Sequence, residues 1–341
     1  MRHFGLSILI TIVCLVLAYL WGGPKAVVIT AILGVLELSL SFDNAVVNAA
    51  VLRGWDKFWK TIFLTIGILV AVFGMRLLFP LLIVSLAADM SLMDAWNLGL
   101  KNPEEYSKHL TEHHAEVAAF GGVFLLLVFL NFLIDEEKDL HWLGWMEKKI
   151  AALHKLDTVS IFIAMVVLVL SVEFLVPEAR QFAVLFSGVC GILVYVGVNV
   201  ISGLLEFGEG GDAIMKGGIG GFLYLEVLDA SFSFDGVIGA FAITNDIVII
   251  MLGLAIGAMF VRSMTIYLVD KGTLDQYVFL EHGAHYAIGI LAVIMFVGMK
   301  YHVPELITAL LGVAFIVVSI WSSIRYRKKN PPEALVSANE A

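Results

Sequence analysis

Charge is scarce in this chain. Of its 341 residues only 15% are Asp, Glu, Lys or Arg, whereas 60% are hydrophobic and the mean hydropathy is +0.95. So few charges cannot cover the surface of a soluble domain of this length, which excludes a soluble enzyme or binding module and implies a polytopic membrane protein. Basic clusters are also lacking. With 21 Lys and Arg against 30 Asp and Glu, and a net charge of -9, no face can neutralise a run of phosphates, so nucleic acid is excluded as a partner. Cysteine is nearly absent: Cys14 and Cys190 both fall in apolar runs, where a thiol is a small hydrophobe, so neither a disulfide framework nor a soft-metal site follows. No small-x-small cleavage site follows the first apolar run. It reads as a retained helix that stops at Trp21-Gly22-Gly23-Pro24, and not as a signal peptide.

What the chain does have is long apolar windows. Ten are long enough to cross about 30 Å of hydrocarbon; they run from 4 to 21, 26 to 51, 58 to 87, 115 to 134, 157 to 176, 181 to 205, 218 to 244, 246 to 269, 284 to 302 and 304 to 324. The fold class expected is an all-α transmembrane bundle forming a single integral domain over 1–341. A polar loop near 89–114 separates the third and fourth windows. Asp135-Glu136-Glu137-Lys138-Asp139 and a Trp- and Lys-bearing segment after the fourth window are expected to lie on the membrane surface. An even number of spans puts both termini on one side. Arg325, Arg327, Lys328 and Lys329 follow the last window, and Arg53, Lys57, Lys60, Lys148 and Lys149 fall on the same side, against a sparser Lys25, Lys101, Lys108, Arg180 and Lys300 on the other. This asymmetry predicts a multi-pass protein of the cell inner membrane with cytoplasmic termini and a cytoplasmic tail over 327–341.

One tetrapeptide occurs twice. Ser41-Phe42-Asp43-Asn44 and Ser233-Phe234-Asp235-Gly236 are near copies, each with an acid six positions upstream, Glu37 or Asp229. They lie five windows apart, which divides the chain into halves at 1–177 and 178–326. Other pairs agree: Gly67 to Arg76 matches Gly253 to Arg262 in spacing, and Glu112-His113-His114 matches Glu281-His282-Gly283 at a helix start. Five spans per half make the second half upside down, an inverted repeat of the kind on which many secondary transporters are built, with sites near the midplane.

Four intramembrane acids would cost on the order of 10 kcal/mol without compensation, which marks them as functional. On a straight helix Glu37, Ser41, Asn44 and Asn48 form one polar stripe; its counterpart carries Asp229 and Ser233, with Glu226 one turn before. Asp43 and Asp235 lie about 120° off these stripes. Either the helix breaks near the tetrapeptide or each Asp is a separate station. Carboxylate, amide and hydroxyl oxygens suit hard divalent cations, Mn²⁺ or Ca²⁺, as a transported substrate and not as a permanently bound cofactor. Arg76 and Arg262 either hold these carboxylates ionised in the empty site or snorkel to the headgroups. Glu112, His113, Glu281 and His282 stand at span ends, suited to capture of the ion in a vestibule or to interfacial helix capping.

The segments Glu37-Leu-Ser-Leu-Ser-Phe-Asp43-Asn44 and Asp229-Ala-Ser-Phe-Ser-Phe-Asp235-Gly236 resemble the TerC family of membrane proteins, within the LysE superfamily of exporters. The resemblance implies a role in manganese export and a link to tellurite resistance, with Glu37, Asp43, Asn44, Asp229 and Asp235 as the ion site. The long loop before the fourth window and the surface segment after it depart from that family's compact pattern and suggest a divergent branch. The function expected is a secondary transporter exporting a divalent metal, in exchange for protons, and not an enzyme. Two alternatives stand beside it: a scaffold or assembly factor without transport, and an intramembrane aspartyl protease using Asp43 and Asp235. The second lacks the Pro-Ala-Leu and Gly-x-Gly-Asp elements of such proteases in these spans.

Overall fold

The apolar runs of the sequence fold as apolar helices. A computed structural model describes residues 3–67, 69–135, 138, 140–144, 147, 158–205 and 218–330, and no strand occurs among them. Most of the surface segment after the fourth window, with Lys148, Lys149 and Lys155, and the tail beyond residue 330 lie outside the described residues. Seven of the described helices are long and apolar enough to cross a membrane. Leu20, Phe182 and Leu306 stand more than half exposed on them. Such a coat is solvated by lipid tails and not by water, so the chain is a multi-pass membrane protein.

Helix α1 (Gly5–Leu40) breaks at Gly22 and Gly23, the latter at φ 70°, a conformation that only glycine adopts without strain. Its two arms run along α11 (Ile247–Asp270) in opposite directions. In the first arm Ser7 Oγ donates to the Met259 carbonyl at 2.6 Å in the middle of α11, and at the arm's other end Trp21 Nε1 donates to Asp246 at 2.9 Å, at the start of α11. The second arm starts again at that other end and passes α11 at Gly34 and Glu37. Small residues permit the close approach: a Cβ on Gly253 would lie 2.5 Å from the Leu33 Cβ. Past Ser41 the chain resumes as α2 (Phe42–Arg53), and α3 (Lys57–Ile62) continues through π-helical stretches at Phe63–Gly67 and Val70–Leu78 into α4 (Phe79–Ala87).

The polar stretch expected as a loop is helical. Ser91 caps α5 (Leu92–Lys101) by accepting from the Asp94 N–H, and Pro103 opens α6 (Pro103–Glu112). Ala95, Tyr106 and Leu110 fall on buried faces, and the Tyr106 ring packs tilted against Phe241 at 5.8 Å, so these helices cover the end of the bundle. Burial of the Tyr106 hydroxyl raises its pKa above the usual phenol value. The bundle continues as α7 (His114–Ile134), α8 (Val159–Leu175), α9 (Glu178–Leu205) and α10 (Ile219–Ile243). After α11 come the short α12 (Thr273–Gln276), α13 (Leu280–Gly298) and α14 (Glu305–Lys329).

Two apolar cores result. One gathers Ala45–Leu52 of α2 with α7 and α13; the other gathers Ala18, Ala26 and Leu33 of α1 with Val237, Ala240 and Leu254. Helix α10 contributes Leu225, Leu228 and Phe232 to the first and Val237 onward to the second. The repeated acids fall where the chain passes from one core to the other.

Candidate metal centre

The break between α1 and α2 builds the site. Ser41 leaves the helical region at φ -104°, ψ 17°, while its N–H still donates to the Glu37 carbonyl at 3.0 Å and its Oγ to Glu37 Oε1 at 3.2 Å. The helix break weighed from the angular mismatch is therefore present in the first half. The second copy differs: α10 runs unbroken through Ser233-Phe234-Asp235-Gly236.

Asn44 and Asn48, one turn apart on α2, aim at one oxygen of Asp229. Their Nδ2 atoms donate to Asp229 Oδ1 at 2.5 and 3.2 Å. Both amides keep a buried Oδ1 without a hydrogen-bond partner among the described residues. Such orphaned acceptors are rare in folded proteins. Asn44, Asn48 and Asp229 line a cavity of about 30 Å³ whose other walls include Gly67, Arg76, Arg262 and Thr265; that is room for a water-sized occupant.

Beside it, Glu37 is 1% exposed and accepts a hydrogen bond from Arg76 Nη2, whose Nη1 donates to the Ala71 carbonyl at 2.7 Å. The π-helical stretch around Arg76 holds that guanidinium inward. Both the Glu37 and the Arg76 charges reach Asp229. Glycine makes the contact possible, since a Cβ on Gly236 would stand 2.5 Å from Glu37 Oε2. Gly236→Ala is therefore expected to displace Glu37 from Arg76 and to destabilise the protein by about 1 to 3 kcal/mol, the usual cost of overpacking. Thermal unfolding in detergent measures this; an unchanged midpoint would show that the contact is slack.

The remaining candidates are spread out. Asp43 is 6% exposed, accepts the Asn44 N–H at 3.0 Å and faces Gly312 of α14, so it is a station apart from Asp229. The Asp235 side chain lies outside the described residues. Ser233 is buried, and Arg262 lines the central cavity with its Nε unpartnered. Glu112 lines a separate cavity of about 420 Å³ with His114, Arg180 and His302. His113 sits 3.5 Å from Glu116 and 3.3 Å from Arg180. Glu281 and His282 lie at the opposite end of the bundle, where His282 Nε2 meets the Leu140 carbonyl at 2.9 Å and Glu147 at 4.0 Å. Burial lowers the pKa of Lys138 in that cluster, against the opposing pull of Glu147, Asp135 and Glu281.

One acid was not selected by the tetrapeptide spacing. Glu226 is 5% exposed, neither of its oxygens has a hydrogen-bond partner among the described residues, and Oε1 lies 2.5 Å from where a Cβ on Gly67 would be. A carboxyl buried that way needs a proton or a cation to be tolerated. Its only sequence signal is its position one turn before Asp229. Among the described residues no three His, Cys, Asp or Glu converge closely enough to hold a metal, so the donor set here is one carboxylate oxygen pair supplemented by amides.

Residues 42–330 match a family described as a protein of unknown function, DUF475. The chain belongs to the DUF475 family. The match begins at Phe42, so α2, Asp229 and both arginines fall within it, whereas Glu37 falls just before it. Searches of the curated proteins and of the solved structures return no match.

Proposed function

We propose that this DUF475 protein is a secondary transporter that exports a divalent metal cation, with manganese as the first candidate and calcium the second. What carries the proposal is Asp229 held by Asn44 and Asn48, whose own amide oxygens are buried and unpaired among the described residues, at a cavity that all three residues line. A hard dication accepts carboxylate and amide oxygens and fills the rest of its shell with water. Binding would draw Asp229 and the amide oxygens onto the ion. Carboxylates loaded alternately with metal and with protons would couple the two fluxes.

In this proposal the ten apolar windows are ten spans, α1 supplies two of them as a hairpin, and the halves form an inverted repeat with cytoplasmic termini in the inner membrane. Kinship with the TerC family is part of the same proposal. One observation favours the scaffold alternative: no triad of His, Cys, Asp or Glu gathers among the described residues. Cellular metal content separates the two. Cells producing the protein are expected to hold less manganese than cells producing Asp229→Asn when grown in excess manganese; equal contents would favour the scaffold.

A further inference from the structure

Arg76 and Arg262 are counterparts in the two halves, yet their surroundings differ. Arg76 is paired with Glu37, the acid of its own half. Asp229, the corresponding acid of the second half, is instead held by Asn44 and Asn48, and Arg262 Nε is buried without a hydrogen-bond partner among the described residues. Arg262 also lines two cavities. One is the central cavity beside Asp229; the other, of about 530 Å³, lies between the first arm of α1 and the end of α11 and is lined by His3, Met259, Ser263 and Asp270. Arg262 is the residue common to both linings. The first arm is fastened there by Ser7, which bonds Ser263 at 2.6 Å, and His3 stands 3.5 Å from Asp270 at the rim.

We infer that Arg262 is a gate between the central site and the cavity at the amino-terminal end of α1, which is one of the two mouths of the transport path. This rests on the proposed transport of a dication. In the empty site Arg262 stands in the wall shared by the two cavities and keeps the passage closed. A bound dication reverses the sign of the field at Arg262 and drives the side chain toward Asp270, which opens the passage. The pairing of Arg76 with Glu37 is the closed form of the equivalent gate in the first half.

The test uses full-length protein in proteoliposomes, with Cys14→Ser and Cys190→Ser and a reporter, Thr265→Cys, in the central cavity behind Arg262. A membrane-impermeant thiol reagent is applied from the amino-terminal side. Accessibility follows the open fraction of the gate, so Mn²⁺ is expected to speed modification about tenfold, and Arg262→Ala to give the fast rate without Mn²⁺. A rate indifferent to Arg262→Ala overturns the gate. Should the reporter protein fail to fold, Arg262→Gln in the wild-type background is measured by flux. A saturable flux is expected to become a linear leak; saturation unchanged from wild type overturns the gate. Failure of the wild-type protein to move Mn²⁺ at all refutes transport itself, a result distinct from either of these.

Discussion

Asp229→Asn is expected to weaken the proposed Mn²⁺ binding about a hundredfold or more while the protein still folds. The substituted amide keeps an Oδ1 that can accept from Asn44 and Asn48, so the two hydrogen bonds linking α2 to α10 have a partner. What is lost is the negative charge that a dication needs in a low-dielectric site. Second-shell changes at metal sites already cost about 10- to 100-fold in affinity, so loss of the charged ligand should cost about a hundredfold or more. Asn48→Ala, which removes one amide, belongs in the lower part of that range. Calorimetry or the Mn²⁺ paramagnetic resonance signal in detergent measures both. Undiminished affinity in Asp229→Asn would place the ion elsewhere, at Asp43 or Glu226.

Glu37→Gln is expected to produce the largest loss of stability. Glu37 and Arg76 are both almost wholly buried, and the ion pair is reinforced by Ser41 and the Ala71 carbonyl. Removing one partner of such a pair leaves a buried charge uncompensated and costs about 3 to 5 kcal/mol, whereas removing both restores neutrality. Glu37→Gln and Arg76→Gln should each destabilise strongly, and the double variant by less than the sum, with a coupling of about 2 kcal/mol or more. Denaturant unfolding in micelles reads all three. Additive costs would show that Arg76 has another partner and that Glu37 does not depend on it.

Much of this was legible from residue spacing. The helices fall on the apolar windows, and the angular mismatch between Glu37 and Asp43 anticipated a break, which occurs at Ser41. The same reasoning applied to the second tetrapeptide expects a break that α10 does not have. The difference is tertiary: Gly236 lets Glu37 approach the α10 backbone, so that helix has no need to bend to meet it. The partnership of Asp229 with Asn44 and Asn48, across 185 and 181 residues, could not be read from either segment alone. The sequence placed Glu226 only as a residue one turn before Asp229; its close approach to Gly67 on another helix could not be read from that position. The helices α5 and α6 were hidden by polar composition, although Ser91 three residues before Asp94 and Pro103 at a helix start were signals of both.

The central claim is that a dication crosses the membrane by way of Asp229. Purified protein reconstituted in proteoliposomes, with an Mn²⁺-quenched dye inside and Mn²⁺ added outside, tests it most directly. The expected result is saturable quenching that accelerates when the interior is acid, and that disappears in Asp229→Asn. Quenching no faster than in protein-free liposomes, under both the metal gradient and the pH gradient, would contradict the claim.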